Sequence, residues 1–144
     1  MTTSRKISQK HFETLEEWLL KKGFEVFVYT DAPNCVFWNV SEIHINSRMH
    51  TEKRLYTLIH ECGHVLVNRN RERVFRLSKN ALVSHDSRIS REKRVSVISE
   101  ETEAWRKGEN LANRLDIKFD INKFDKFKTT CLMGYIHWAA SQDF

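Results

Sequence analysis

Five residues, His60-Glu61-Cys62-Gly63-His64, constrain this chain more than any others. They form H-E-x-x-H inside a stretch whose apolar residues recur at helical spacing, so residues 50–68 predict a helix with Thr51 as its cap. Two imidazoles four residues apart lie one turn apart on one helix face. There they can bind a single metal ion, at Zn–N distances of about 2.0–2.1 Å. Glu61, between them, is placed to take a proton from metal-bound water and return it to a leaving group, the role of a general base. At about 100° per residue, Leu55, Leu58, Ile59, Cys62 and Leu66 cluster on one side, and both histidines fall roughly 160° away. The expectation is a helix that buries one face and turns His60, Glu61 and His64 to another surface. Cys62 falls on the buried face and reads as packing, not as a ligand.

Zinc needs a third protein ligand and keeps a fourth position for water. Residues 95–115 predict the next helix, which offers Glu100, Glu101 and Glu103. Glu101, Trp105, Gly108, Ala112 and Leu115 form one stripe, in which Glu101 is the sole charged member. Glu103, Lys107, Asn110 and Arg114 form a wholly polar stripe, as a solvated face should. A charge on a packing face needs a partner, because burying it unpaired is costly, and a metal would be that partner. Glu101 is therefore the first choice, with Glu103 and Glu100 as alternatives. A carboxylate favoured by the helix dipole at a helix start is the plainer explanation of Glu101.

The remaining elements predict an α+β domain. Residues 8–22 read as an amphipathic helix stopped by Gly23. Residues 24–29, 36–40 and 43–45 read as three short strands, with a turn at 31–34, and residues 124–140 as a last helix. A small three-stranded sheet thus follows the first helix. The chain has 144 residues, 40% of them hydrophobic, enough for one domain over 1–144 with a core that needs no disulfides. Cys35, Cys62 and Cys131 are odd in number, lack C-x-x-C spacing and read as reduced thiols. No apolar run approaches the roughly 18 residues of a membrane span, and residues 1–9 are polar, so neither membrane insertion nor a secretory signal is expected and the cytoplasm is the default location.

Positive charge is concentrated. Residues 69–94 hold nine Lys or Arg against three acidic residues, so this segment alone exceeds the net +5 of the whole chain. It reads as a basic insertion, with a short strand at 74–77. Arg88, Arg91, Lys93 and Arg94 are candidate contacts to nucleic acid or an acidic partner. A solvated insertion is the plainer reading, because Phe75 alone supplies aromatic character for base stacking. His85 lies in the same segment, as a candidate lid residue. In the last helix Tyr135 and His137 are candidate stabilisers of an oxyanion in a zinc hydrolase. The simpler role of Tyr135, Ile136 and Trp138 is core packing.

The run Ile43-His44-Ile45-Asn46-Ser47, with Arg54 to His64 after it, resembles the ImmA/IrrE-type zincin-like metallopeptidases, in which a strand ending in Asn precedes a helix carrying HE-GH. Glu101-x-x-Ala104 resembles that family's downstream E-x-x-A element. The resemblance covers residues 43–115. It departs after Ala104, where Arg106-Lys107-Gly108 replaces the usual continuation, and in the long gap between His64 and Glu101. It implies a minimal zincin-like domain with one Zn²⁺ per chain held by His60, His64 and Glu101, and Glu61 as general base. It also implies a narrow protein or peptide substrate, such as a DNA-binding regulator, and a phage or mobile-element setting. The strand at 43–45 would bind substrate by β-augmentation if it lay at the sheet edge. The competing reading is a non-catalytic zinc module that acts through its basic segment. Nothing in the sequence indicates an oligomeric state.

Overall fold

The computed structural model describes residues 3–69 and 89–141. The order is α1 (Thr3–Lys21), β1 (Glu25–Tyr29), β2 (Cys35–Phe37), β3 (Glu42–Asn46), α2 (Thr51–Arg69), α3 (Arg91–Arg114) and α4 (Ile121–Ser141). This is the expected α+β class, with one small sheet and an added layer of helices. The strand expected at 74–77 and the residues His85 and Arg88 lie outside the described residues.

Local chemistry sets the helix ends. Gly23, at φ 90°, closes α1, and its N–H and that of Phe24 return to the carbonyls of Leu20 and Leu19. Arg54 N–H bonds to the His50 carbonyl, so His50 occupies the cap position of α2. Thr51 is already helical, and its hydroxyl accepts from the Arg54 guanidinium instead. Helix α3 begins at Arg91, four residues before the expected start, because the Ser90 hydroxyl accepts from Lys93 N–H and caps it. The last residues of the basic segment are thus the first turn of a helix. Asp120 does the same for α4, accepting from the N–H groups of Asn122 and Lys123.

The sheet runs β1-β3-β2, with β1 parallel and β2 antiparallel to β3. β3 is therefore the central strand, not an edge, and both its backbone edges are taken. β-Augmentation at residues 43–45 is excluded. Ile43 and Ile45, on one face of this strand, are fully buried. Its inner face packs on Leu15 and Leu19 of α1 and on Leu55, Leu58 and Ile59 of α2 within one core. Asn46 ties the end of β3 to its surroundings. Its N–H donates to Asn34, its amide to the Ala32 carbonyl, and its side-chain oxygen accepts from Arg48 N–H. That brace sets the path into α2.

Helix α2 lies at the centre, with its most extensive packing against α3 and further contacts to α1 and the sheet. Every residue from Leu55 to Gly63 is buried. The expectation that His60 and Glu61 lie on a non-core face is corrected: both are buried, with α3 packed against α2. No described helix is long and apolar enough to cross a membrane.

Candidate metal centre

Two glycines allow α2 and α3 to meet backbone to backbone. A Cβ on Gly63 would lie 1.7 Å from the Ala104 carbonyl oxygen, and one on Gly108 would lie 2.2 Å from that of Ile59. Nothing larger than hydrogen fits at either crossing point. This approach brings Glu101, one turn before Trp105 on α3, against the histidines of α2. His60 Nε2 and Glu101 Oε2 are 2.8 Å apart, and His64 Nε2 and Glu101 Oε1 are 3.1 Å apart. The two Nε2 atoms are separated by 3.1 Å. Among the described residues, these three form the group of His, Cys, Asp or Glu able to share one ion.

The donor set and its spacing fit zinc. Three ligands of a tetrahedral ion with bonds of about 2.05 Å lie about 3.3 Å from one another, so the observed group needs to open by only a few tenths of an ångström. The group is also under-satisfied. His60 is 8% and Glu101 8% exposed, yet among the described residues His60 Nδ1 and Glu101 Oε2 are buried without an aligned hydrogen bond. Buried polar atoms without partners are costly, and a shared cation would relieve Glu101 Oε2. Without one, the pair shares a proton. Burial works against a charged His64, but the Glu101 carboxylate beside it prevails and pushes its pKa up to about 9. Burial likewise opposes the charged form of Glu101, and the two histidines overcome it and hold the carboxyl far below its ordinary range.

Glu61 lies between the two histidines and is 5% exposed. Its charge and that of Glu101 reach Tyr135 of α4. Burial, then those two carboxylates, push the Tyr135 pKa far above its ordinary value, so the phenol stays protonated and remains a donor. His137 stands two residues on, on another side of α4, and is exposed. Ile136 is exposed as well, 45% of it, against the expectation of core. Glu103 turns away and pairs with Arg106 and Lys107. Glu100 lies close enough to act on His64 electrostatically but stays outside the three-residue group.

The basic candidates divide. Arg91 and Lys93 are exposed in the first turn of α3. Arg94 is 6% exposed, and its guanidinium donates to the Ala139 carbonyl near the end of α4. It clamps two helices and is withdrawn from any nucleic-acid surface. Cys35, Cys62 and Cys131 form no disulfide, and burial raises the Cys62 pKa well above its ordinary value, in keeping with a packing role.

Two features of the site escaped the sequence reading. One is the close crossing at Gly63 and Gly108, whose signal was the run of small residues Gly63, Ala104 and Gly108 on two helices. The other is Trp105, which stacks on His60 with ring centroids 4.2 Å apart and planes 22° apart. No protein-family model, curated protein or solved structure matches this chain.

Proposed function

We propose that this protein is a zinc-dependent peptidase with a narrow protein substrate, in keeping with its resemblance to ImmA/IrrE-type metallopeptidases. The observation that carries the reading is the convergence of His60 Nε2, His64 Nε2 and the Glu101 carboxylate within 2.8–3.1 Å, with Glu61 on the same helical turn. Zinc suits a His₂Glu set, although other divalent ions accept it too. Bound there, zinc would supply Lewis-acid polarisation and bring the pKa of water towards about 7.

The chain's own groups divide the remaining work. His60, His64 and Glu101 hold the ion. Glu61 accepts a proton from the attacking water and hands it to the departing amine. Its near-complete burial keeps that proton from bulk solvent. Tyr135 offers a protonated hydroxyl beside Glu101, where it steadies that carboxylate and stands ready to donate to a developing oxyanion.

Metal content tests the first half of this reading. Wild type should carry about one zinc per chain. His60→Ala and Glu101→Ala should lose it, and Glu103→Ala should keep it. Cleavage tests the second half: a peptide library is incubated with the zinc-loaded protein and the products are read by mass spectrometry. Glu61→Gln should retain zinc and cut at least about 10²-fold more slowly. A wild type that takes up no added zinc, or a Glu61→Gln variant that cuts at the wild-type rate, refutes the proposal.

A further inference from the structure

We infer that Trp105 is a positioning residue that sets the orientation of His60 by ring stacking, in place of a hydrogen bond. The inference deepens the metal reading and rests on it. A histidine that binds metal through Nε2 carries its proton on Nδ1, and that N–H ordinarily donates to a carboxylate or backbone carbonyl, which fixes both the tautomer and the ring plane. Among the described residues His60 has no such partner: its Nδ1 is buried and unbonded. The polar contacts of the ring are thus those of Nε2 itself, to Glu101 and His64, and no hydrogen bond on the Nδ1 side fixes its rotation about the Cβ–Cγ axis.

The stack takes over that duty. The Trp105 indole lies nearly parallel to the His60 ring, at 4.2 Å and 22°, a stack slightly tighter than the roughly 4.5–7 Å of most favourable aromatic pairs. A turned imidazole would drive its edge into the indole face. On its other side, His60 meets His64 edge-on at 4.5 Å and 74°. The indole is itself held. It is 2% exposed, and Phe124 and Phe127 of α4 pack against it at 5.6 and 6.1 Å, both steeply inclined. Trp105 Nε1 has no hydrogen-bond partner among the described residues either, so there the ring is placed by packing. Aromatic contacts thus run from α4 through α3 to a metal ligand on α2. Trp105 also sits one turn after Glu101, so a single helix supplies one ligand and the support for another.

The test compares wild type with Trp105→Phe, which keeps an aromatic face, and Trp105→Leu, which keeps bulk without one. Folding is first checked by circular dichroism and thermal melting. In metal-free protein, the His60 ring protons should be shifted upfield by the indole ring current, and the shift should vanish in Trp105→Leu. Zinc affinity, measured by competition with a chromophoric chelator, should fall about 10–100-fold in folded Trp105→Leu, the usual consequence of losing a ligand's outer support. It should stay within about threefold in Trp105→Phe. With cobalt(II) in place of zinc, the visible bands should move in Trp105→Leu and hold in Trp105→Phe, a signature that lost stability alone would not produce. A folded Trp105→Leu that binds zinc as wild type does, or His60 protons at unshifted positions in wild type, overturns the positioning role and leaves the metal reading standing. A wild type that binds no zinc overturns the metal reading and the ligand-positioning role with it.

Discussion

Glu101 and His64 share a proton in the metal-free protein, and that proton makes stability depend on pH. The folded His64 pKa is raised from 6.5 to about 9, so between those values the folded state binds more protons than the unfolded one. Stability from this group is complete below about pH 6.5 and is lost as pH rises towards 9. Glu101 is shifted the other way, below its ordinary 4.5, so its contribution is present above 4.5 and is lost as pH falls. Metal-free protein should therefore be most stable between about pH 4.5 and 6.5. Melting temperatures at pH 5.5 and 9.5 measure the alkaline loss, and His64→Asn should flatten it. An unchanged wild-type melting temperature across that interval would show that the pair does not form. Zinc must displace the same proton, so its apparent affinity should climb with pH until about 9.

Helix α2 shows why single residues do not explain the site on their own. Its apolar face was legible from spacing: Leu55, Leu58, Ile59 and Cys62 are all essentially inaccessible. Its polar face was not, since a helical wheel separates apolar from polar positions and cannot tell which polar face a neighbouring helix will cover. The stripe on α3 that singled out Glu101 held that missing information, because a lone carboxylate among Trp105, Gly108 and Ala112 implies a polar partner opposite. The glycines test the pairing. Gly63→Ala sets a methyl against a backbone carbonyl that cannot move aside. It should cost about 1–3 kcal/mol or more, as overpacking does, and weaken zinc binding by parting Glu101 from the histidines. Gly134→Ala is the control, since nothing lies within 4 Å of the added carbon in the middle of α4. It should stabilise by about 0.5–1 kcal/mol. Urea denaturation of both decides the matter, and a Gly63→Ala variant as stable as wild type would mean that the two helices do not touch as described.

The whole molecule is held together by contacts distant in sequence, and these were the least legible. All three strands are recognisable from alternation, but their order is not. Chain order suggests β2 in the middle, whereas β3 takes that place, parallel to β1 and antiparallel to β2. Arg94 reads as one more charge in a basic run, and its bond to the Ala139 carbonyl, 45 residues away, leaves no local trace. The candidate metal site was legible because metal chemistry demands particular residue types at fixed spacing on each helix. Its consequence for stability belongs to the whole fold. His64 and Glu101 come from helices separated by residues 70–90, and a metal that joins them binds the folded chain alone. Such a ligand stabilises by about 4 kcal/mol when its free concentration is a thousand times its Kd. For a chain of this size that corresponds to a rise in melting temperature on the order of 10 °C. Zinc added to chelator-treated wild type should produce that rise, and a chelator should reverse it. His60→Ala should melt at one temperature with or without zinc. An equal rise in His60→Ala would place the ion elsewhere on the molecule, because a site that lacks one of its three converging donors cannot bind as tightly as the intact one.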